Sequence, residues 1–202
     1  MRKVAIVLIG VFVFFIVKCK QKPLFSFEIE ESFLQEGDIA FRRGQSIASR
    51  VVLAVDKEGG YSHIGIVVKE SSSWYVIHAV PGETDKDNPT EILKKESFSQ
   101  FFAPDRAVSG AIYRLDANAN IGFLAAQKAK VLFDRKLLFD HKYDLEDSTK
   151  MYCTELIYFV FNYAGIDISE GRRSSYPAFR DEFLLPSDIL ANPKLKKICA
   201  SH

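Results

Sequence analysis

The spacing of apolar residues along the chain predicts alternating strands and helices. Residues 37–42 predict a turn and a short strand, and residues 46–56 carry apolar side chains at helical spacing ahead of the pair Gly59-Gly60. Residues 61–68 and 74–80 are rich in β-branched and aromatic side chains, and a polar, serine-rich turn joins them. This pattern is typical of a β-hairpin.

The second half of the chain continues the same mixture of elements. Helices are predicted at residues 90–101, 121–139, 151–163 and from residue 186 onward, and a strand is predicted at residues 110–115. Thr90 stands where the first of these helices needs an N-cap, and Gly165 follows the third where a C-terminal cap belongs. The order β, α, β, β, α, β, α, α predicts an α+β fold in which an antiparallel sheet packs against helices.

The N-terminus has the pattern of an export or anchoring segment. Residues 4–17 are fourteen residues without a charge, between basic flanks. At about 1.5 Å per residue they span about 21 Å, less than the roughly 30 Å of a bilayer core, which favours the apolar stretch of a signal peptide. Cys19 follows in the place of a lipoprotein's acylated cysteine, although Lys18 stands where such leaders carry a small residue.

Three fates of this leader stay open, namely lipidation at Cys19, an uncleaved signal anchor and simple secretion. We expect residues 1–19 to be the leader or anchor, residues 20–35 to be a tether, and residues 36–202 to form one folded domain. This organisation predicts a protein of the cell envelope that is held at a membrane, with its folded domain outside the cytoplasm.

Composition excludes some classes of function. The chain has 27 basic and 26 acidic side chains, so its net charge would not attract nucleic acid, and we expect no nucleic-acid partner. The three cysteines, Cys19, Cys153 and Cys199, are too few for a disulfide framework and lack the close pairs of structural zinc sites. A chain of 202 residues, 48% of them hydrophobic, suits one compact core.

Cys153 is the candidate nucleophile because it lies at the start of a predicted helix. The unpaired N–H groups there and the positive end of the helix dipole stabilise a thiolate. A lone cysteine is more often a small buried hydrophobe, so this position carries the functional interpretation.

Two histidines fall on the two strands of the predicted hairpin. If the tip of the hairpin lies at Ser71-Ser72, two residues face each other across it when their residue numbers add up to about 142. The numbers of His63 and His78 add up to nearly this value, so the two histidines are predicted to be neighbours. A neutral His78 can accept the ring N–H of His63 and fix its tautomer. The hydroxyl of Tyr143 is a candidate donor to an oxyanion, and a packing role is the alternative for each of these side chains.

Five motifs, taken in order, resemble the YiiX-like proteins, which are circularly permuted members of the NlpC/p60 papain-like superfamily. The motifs are Gly37-Asp38-Ile39, Tyr61-Ser62-His63-Ile64-Gly65, Lys142-Tyr143-Asp144, Tyr152-Cys153-Thr154-Glu155-Leu156 and Pro186-Ser187-Asp188. The resemblance covers about residues 36–197. It implies a permuted papain-like fold without a cofactor, with Cys153 as nucleophile, His63 as base and Tyr143 as oxyanion partner.

Two features of the chain bear on this resemblance. His63 precedes Cys153, as in the permuted group, whereas papain-like enzymes of the usual order have the cysteine first; a triad only requires that its members meet in space. The permuted relatives carry Glu where this chain has His78, while many unpermuted NlpC-type enzymes use His as the orienting member.

These residues favour a cysteine hydrolase that cleaves an amide bond through a thioester. Its expected substrate is peptide-like or an acyl amide, for example a peptidoglycan fragment. Three alternatives stay open. The first is a lipid acyltransferase or lipid-amide hydrolase, in which the Phe-rich residues 98–102 and 179–183 would form an apolar groove. The second is a membrane-tethered binding module without catalysis, and the third is a zinc site formed by Cys153, His63 and His78.

Overall fold

The structure, a computed structural model, describes residues 27, 29–82, 91–177 and 181–201. The helices and strands of these residues are, in order, β1 (Ile39–Gly44), α1 (Ile47–Val55), β2 (His63–Glu70), β3 (Ser73–His78), β4 (Lys94–Ser97), α2 (Phe98–Phe101), β5 (Ala107–Leu115), α3 (Ala119–Asp134), β6 (Leu138–Phe139), β7 (Lys150–Met151), α4 (Cys153–Tyr163), α5 (Pro186–Leu190) and β8 (Leu195–Ser201). A short 3₁₀ turn, Glu31–Phe33, precedes β1.

Six of the described strands form one antiparallel sheet in the order β4-β3-β2-β1-β5-β8. The short strands β6 and β7 pair in parallel outside this sheet. The helices α3 and α4 pack against each other and against β2. The predicted α+β fold, an antiparallel sheet packed against helices, is therefore confirmed.

The two faces of the sheet are buried in different ways. Side chains of a strand alternate between faces, so Ile64 and Ile66 join the main core beneath α3 and α4, while Val67 joins a smaller core on the opposite face. On the helical side, α3 contributes Ala125, Ala126, Ala129 and Leu132, and α4 contributes Leu156, Ile157, Val160 and Phe161. Because α4 lies against β2, its first turn comes close to the start of that strand.

The helix predicted at residues 90–101 is wrong over most of its described length. Lys94–Ser97 is the edge strand β4, and only Phe98–Phe101 is helical. The N-cap of that turn is Ser97, whose hydroxyl accepts from the backbone N–H of Gln100 at 3.3 Å, whereas Thr90 lies outside the described residues. Pairing with β3 has overridden the local helical spacing.

Other element boundaries also differ from the prediction. The helix α3 ends at Asp134 and not near residue 139, because Lys136 takes a left-handed conformation, φ 54°, and the chain then enters β6. The strand β8 was not predicted; it pairs with β5 and places the half-buried Cys199 opposite Ile112. Gly165 has φ +90°, as a C-terminal cap requires.

In the described part of the chain, no helix is both long and apolar enough to cross a membrane. The predicted leader with Cys19, and the beginning of the tether, lie outside the described residues. Those assignments stay predictions.

Candidate active site

Cys153 is the first residue of α4, as the sequence predicts. The extended Tyr152 precedes it as the N-cap residue. Burial raises the pKa of the Cys153 thiol, while the backbone N–H groups of Ile64, Thr154 and Cys153 itself, together with the positive charge of Arg42, oppose that rise. The helix start therefore supplies donors to the sulfur, but burial keeps the proton on it at rest.

His63 and His78 meet at the mouth of the β2–β3 hairpin. The observed register pairs Ile66 with Ile77, one residue away from the predicted facing pairs. Nε2 of His63 lies 2.8 Å from Nδ1 of His78, and the two rings meet edge to face. His63 is 5% exposed and His78 is fully buried, so the contact is shielded from water.

A carboxylate that the sequence interpretation missed completes the chain of hydrogen bonds behind His78. Glu96, on β4, lies 3.1 Å from Nε2 of His78 through Oε2, and its Oε1 accepts from Nη1 of Arg106 at 2.6 Å. Burial opposes ionisation, but the hydrogen bonds from His78 and Arg106 hold the pKa of Glu96 at about 2. Glu96 is thus a charged acceptor at neutral pH.

The charge of Glu96 determines the proton positions along this chain. An ionised carboxylate can only accept, so Nε2 of His78 carries a hydrogen. In a neutral His78 the other ring nitrogen, Nδ1, then accepts from Nε2 of His63. The remaining nitrogen of His63, Nδ1, carries a lone pair. Burial, then the charge of Arg42 and then the adjacent His78 ring hold the pKa of His63 well below its usual value, so the His63 ring is neutral at neutral pH.

Arg42 is a second residue of the site that the sequence interpretation missed. It lies on β1 opposite His63, is buried, and donates from Nη1 to the carbonyl of Phe101 at 2.8 Å. Its charge lowers the pKa of both Cys153 and His63. In the sequence, the one feature that could have indicated Arg42 is its position as a charged residue directly after the apolar residues 39–41. Its place beside His63, however, depends on the register between β1 and β2.

Tyr143 lies in a strained turn beside the cysteine. Its φ is 59°, a left-handed conformation that is uncommon for a residue with a side chain. The carboxylate of Asp140 holds this turn, since it accepts from the backbone N–H groups of Lys142 at 2.9 Å and Asp144 at 2.6 Å. Burial raises the pKa of Tyr143, and the proximity of Cys153 and Asp140, which are negative when ionised, raises it further. Its phenol is therefore neutral and able to donate.

Cys153 lies where two cavities meet. The histidine-side cleft contains His63, Arg42 and a group of serines, Ser46, Ser49 and Ser62. The apolar pocket lies between the valines of α1 and the segment Phe183–Pro186. Both cavities are also lined by Tyr143 and Tyr152, so a substrate bound across Cys153 would have groups in each.

The aromatic stretches predicted to line a groove separate in the structure. Phe183 lines the apolar pocket, but Phe101 and Phe102 lie in the smaller core on the other face of the sheet. Phe179 lies outside the described residues.

The arrangement of donors does not suit the zinc site considered from the sequence. Both ring nitrogens of His78 and Nε2 of His63 are engaged in hydrogen bonds. Across the described residues, no three His, Cys, Asp or Glu side chains are grouped so as to hold a metal ion.

A cysteine at a helix N-terminus that lines the same cleft as a histidine of an antiparallel sheet is the arrangement typical of papain-like cysteine enzymes. Within that class, residues 33–199 match the model of a family described as permuted papain-like amidase enzyme, YaeF/YiiX, C92 family. The chain belongs to this family, which confirms the resemblance found in its motifs. At the level of class it is an amidase.

A solved structure supports the same fold. The chain is similar to a crystal structure described as metalloprotein yiiX from Escherichia coli O157:H7, with a TM-score of 0.64 and 20% identity, over 82% of this chain and 96% of that one. A search of curated proteins found no match.

Proposed function

We propose that this protein hydrolyses an amide bond through a thioester formed on Cys153, with His63 as the general base. The proposal rests mainly on the chain of hydrogen bonds from His63 through His78 to Glu96, because this chain holds His63 in the cleft that also contains Cys153. The family supports amide chemistry at the level of class.

In the acylation step, Nδ1 of His63 takes the thiol proton as the sulfur of Cys153 attacks the carbonyl carbon. The resulting imidazolium is stabilised through His78 by the charge of Glu96. The backbone N–H of Cys153 and the hydroxyl of Tyr143 are the proposed donors to the oxyanion. The C–N bond then breaks, and His63 returns the proton to the leaving amine.

In the deacylation step, His63 accepts a proton from water, which attacks the thioester carbon. The C–S bond breaks, the acid leaves, and the proton returns to the sulfur of Cys153. At rest both partners are neutral, because burial raises the pKa of Cys153 and lowers that of His63. Proton transfer is therefore coupled to attack on the substrate and does not precede it.

A matched pair of cysteine variants tests the proposal. Cys153→Ala should abolish hydrolysis of a panel of acyl and peptidyl aminocoumarin amides while circular dichroism shows an intact fold. Cys199→Ala, on β8 and outside the two cavities, should keep the wild-type rate. Full activity in folded Cys153→Ala would refute the mechanism.

We also propose, from the leader at residues 1–19, that the domain acts in the cell envelope on peptide-like or acyl-amide material such as peptidoglycan fragments. A non-catalytic binding module has less support, because it would not need a buried carboxylate to fix the tautomer of His78. Reaction of Cys153 with substrate distinguishes these two functions.

A further inference from the structure

The helix α1 presents apolar side chains to solvent beside the active site. None of its nine residues is buried, although most are apolar. Ile47 is 82% exposed and Val51 is 56% exposed. Together with Val55 they are spaced four residues apart, so they form one row along the helix. Such a row normally packs against the core along its length. Here only Val55 packs against the main core, Val51 and Val55 line the apolar pocket, and Ile47 lies at the surface.

The apolar pocket is an open cleft with a cavity volume of about 60 Å³ and with Cys153 among its lining residues. Val51, Val52 and Val55 line one side, and Phe183, Leu184 and Leu185 line the other. Among the described residues that line it, none has a side chain that is charged at neutral pH. This lining matches an uncharged aliphatic group and disfavours a polar or ionic one.

Hydrogen bonds hold the two walls of this pocket at fixed positions. The hydroxyl of Thr154 donates to the carbonyl of Leu184 at 2.7 Å, and the backbone N–H of Leu184 donates to the hydroxyl of Tyr152 at 2.9 Å. Across the pocket, Asp56 at the end of α1 accepts from the backbone N–H of Ser187 at 3.1 Å. Both walls are thus tied together beside the helix that carries Cys153.

The position of the base indicates which part of the substrate enters the pocket. The leaving amine must receive its proton from His63, so it lies in the histidine-side cleft. The acyl carbon bonds to the sulfur of Cys153, and its substituent extends away from the amine. The apolar pocket is lined by Cys153 but not by His63, and therefore lies on the acyl side.

We infer that the apolar pocket is the acyl subsite of the enzyme, and that the substrate is an amide of an aliphatic acyl chain with a polar amine. This inference rests on the proposed hydrolysis through Cys153. A chain longer than the pocket would continue along Val51 toward Ile47.

A series of acyl aminocoumarins with a constant amine and acyl chains from acetyl to octanoyl tests the inference on the full chain. In the wild type, kcat/KM should rise with length, reaching at least about tenfold for hexanoyl over acetyl, since one buried methylene can contribute up to about fourfold. Val51→Asp should reduce this ratio of hexanoyl to acetyl to near one. Val108→Asp, the same change at a residue that is 42% exposed on β5 and outside the pocket, should keep the wild-type ratio.

The outcomes separate this inference from the proposed function. Hydrolysis that requires Cys153 but does not depend on chain length would overturn the acyl subsite alone. Equal length dependence in Val51→Asp, Val108→Asp and the wild type would do the same. No hydrolysis of any member, or hydrolysis that persists in Cys153→Ala, would contradict the proposed function itself.

Discussion

The immediate hydrogen-bond partner of His63 is a histidine, His78, and the carboxylate of Glu96 lies behind it on the other ring nitrogen. A neutral imidazole stabilises an adjacent imidazolium less than a carboxylate does. The 3.1 Å contact between Glu96 and His78 recovers part of this effect, because the charge of Glu96 acts along the hydrogen-bonded chain. We therefore treat Glu96 as a positioning residue that acts through His78.

Opposite charge changes at Glu96 and Arg106 should move the pH profile in opposite directions. Glu96→Gln removes the charge that favours a protonated His63–His78 pair, so the acid limb of kcat/KM should shift to lower pH, and the plateau should fall by about tenfold or more. Arg106→Gln removes a cation that touches Glu96, so the acid limb should shift to higher pH. Glu96→Asp should restore part of the plateau. Identical profiles in all these variants would show that Glu96 only supports the fold.

Removing the hydroxyl of Tyr143 should lower the rate without unfolding the protein. If this phenol donates to the oxyanion, Tyr143→Phe should reduce kcat by about a hundredfold with little change in KM. Tyr163→Phe, the same change at an exposed residue near the end of α4, should leave kcat unchanged. Equal rates in the two variants would remove Tyr143 from the mechanism.

At the scale of elements, the first turn of α4 contains a carboxyl group that stays protonated. Burial raises the pKa of Glu155 to about 9, against a hydrogen bond from the backbone N–H of Tyr152. A neutral Glu155 places no negative charge close to the Cys153 thiolate during the reaction. The burial of Glu155 therefore favours a negative charge on the nearby Cys153 sulfur, but it lowers the free energy of unfolding.

This cost gives a prediction for pH dependence. The pKa of Glu155 is 4.5 in the unfolded chain and about 9 in the folded protein. Below pH 4.5 the carboxyl group is protonated in both the folded and the unfolded protein. Between pH 4.5 and about pH 9 it is ionised only in the unfolded protein. Stability should thus fall as pH rises through this window. Glu155→Gln should reduce this loss of stability at high pH. The free energy of unfolding of the variant should exceed that of the wild type by about 2 kcal/mol at pH 8, and by less at pH 5. Thermal unfolding at both values checks this, and an equal gain at both would contradict it.

The sequence indicated the hairpin, the helix α1 and the start of α4 because their apolar patterns are strong and local. It did not indicate β4, since Lys94–Ser97 is a short, charged edge strand that forms only by pairing with β3. Glu96 and Arg42 were missed for the same reason. Their places beside His78 and His63 depend on strand registers that local spacing does not determine.

At the scale of the whole molecule, the permuted chain order brings His63, from an early strand of the sheet, and Cys153, from a later helix, to the same cleft. The motifs allowed the family to be predicted from the sequence, and residues 33–199 match its model. Of the apolar pocket only Phe183 was indicated by the sequence, because the walls are joined by tertiary contacts such as that between Asp56 and Ser187.

Attachment to a membrane is also a property of the whole molecule, and we predict it from Cys19. Metabolic labelling with a palmitate analogue should mark the wild type and Cys199→Ala, and the label should be lost in Cys19→Ala. If the wild type takes up no label, Cys19 is not lipidated, and the signal anchor and simple secretion are the two alternatives that remain.

The role of Cys153 as nucleophile is tested most directly by mass spectrometry of the protein after the reaction is stopped during turnover. Acid quenching with an excess of acyl aminocoumarin should trap the acyl group as a thioester on the peptide that contains Cys153, and Cys153→Ala should show no adduct. An acyl group on another residue, or turnover with no covalent adduct under conditions where deacylation limits the rate, would contradict Cys153 as the nucleophile.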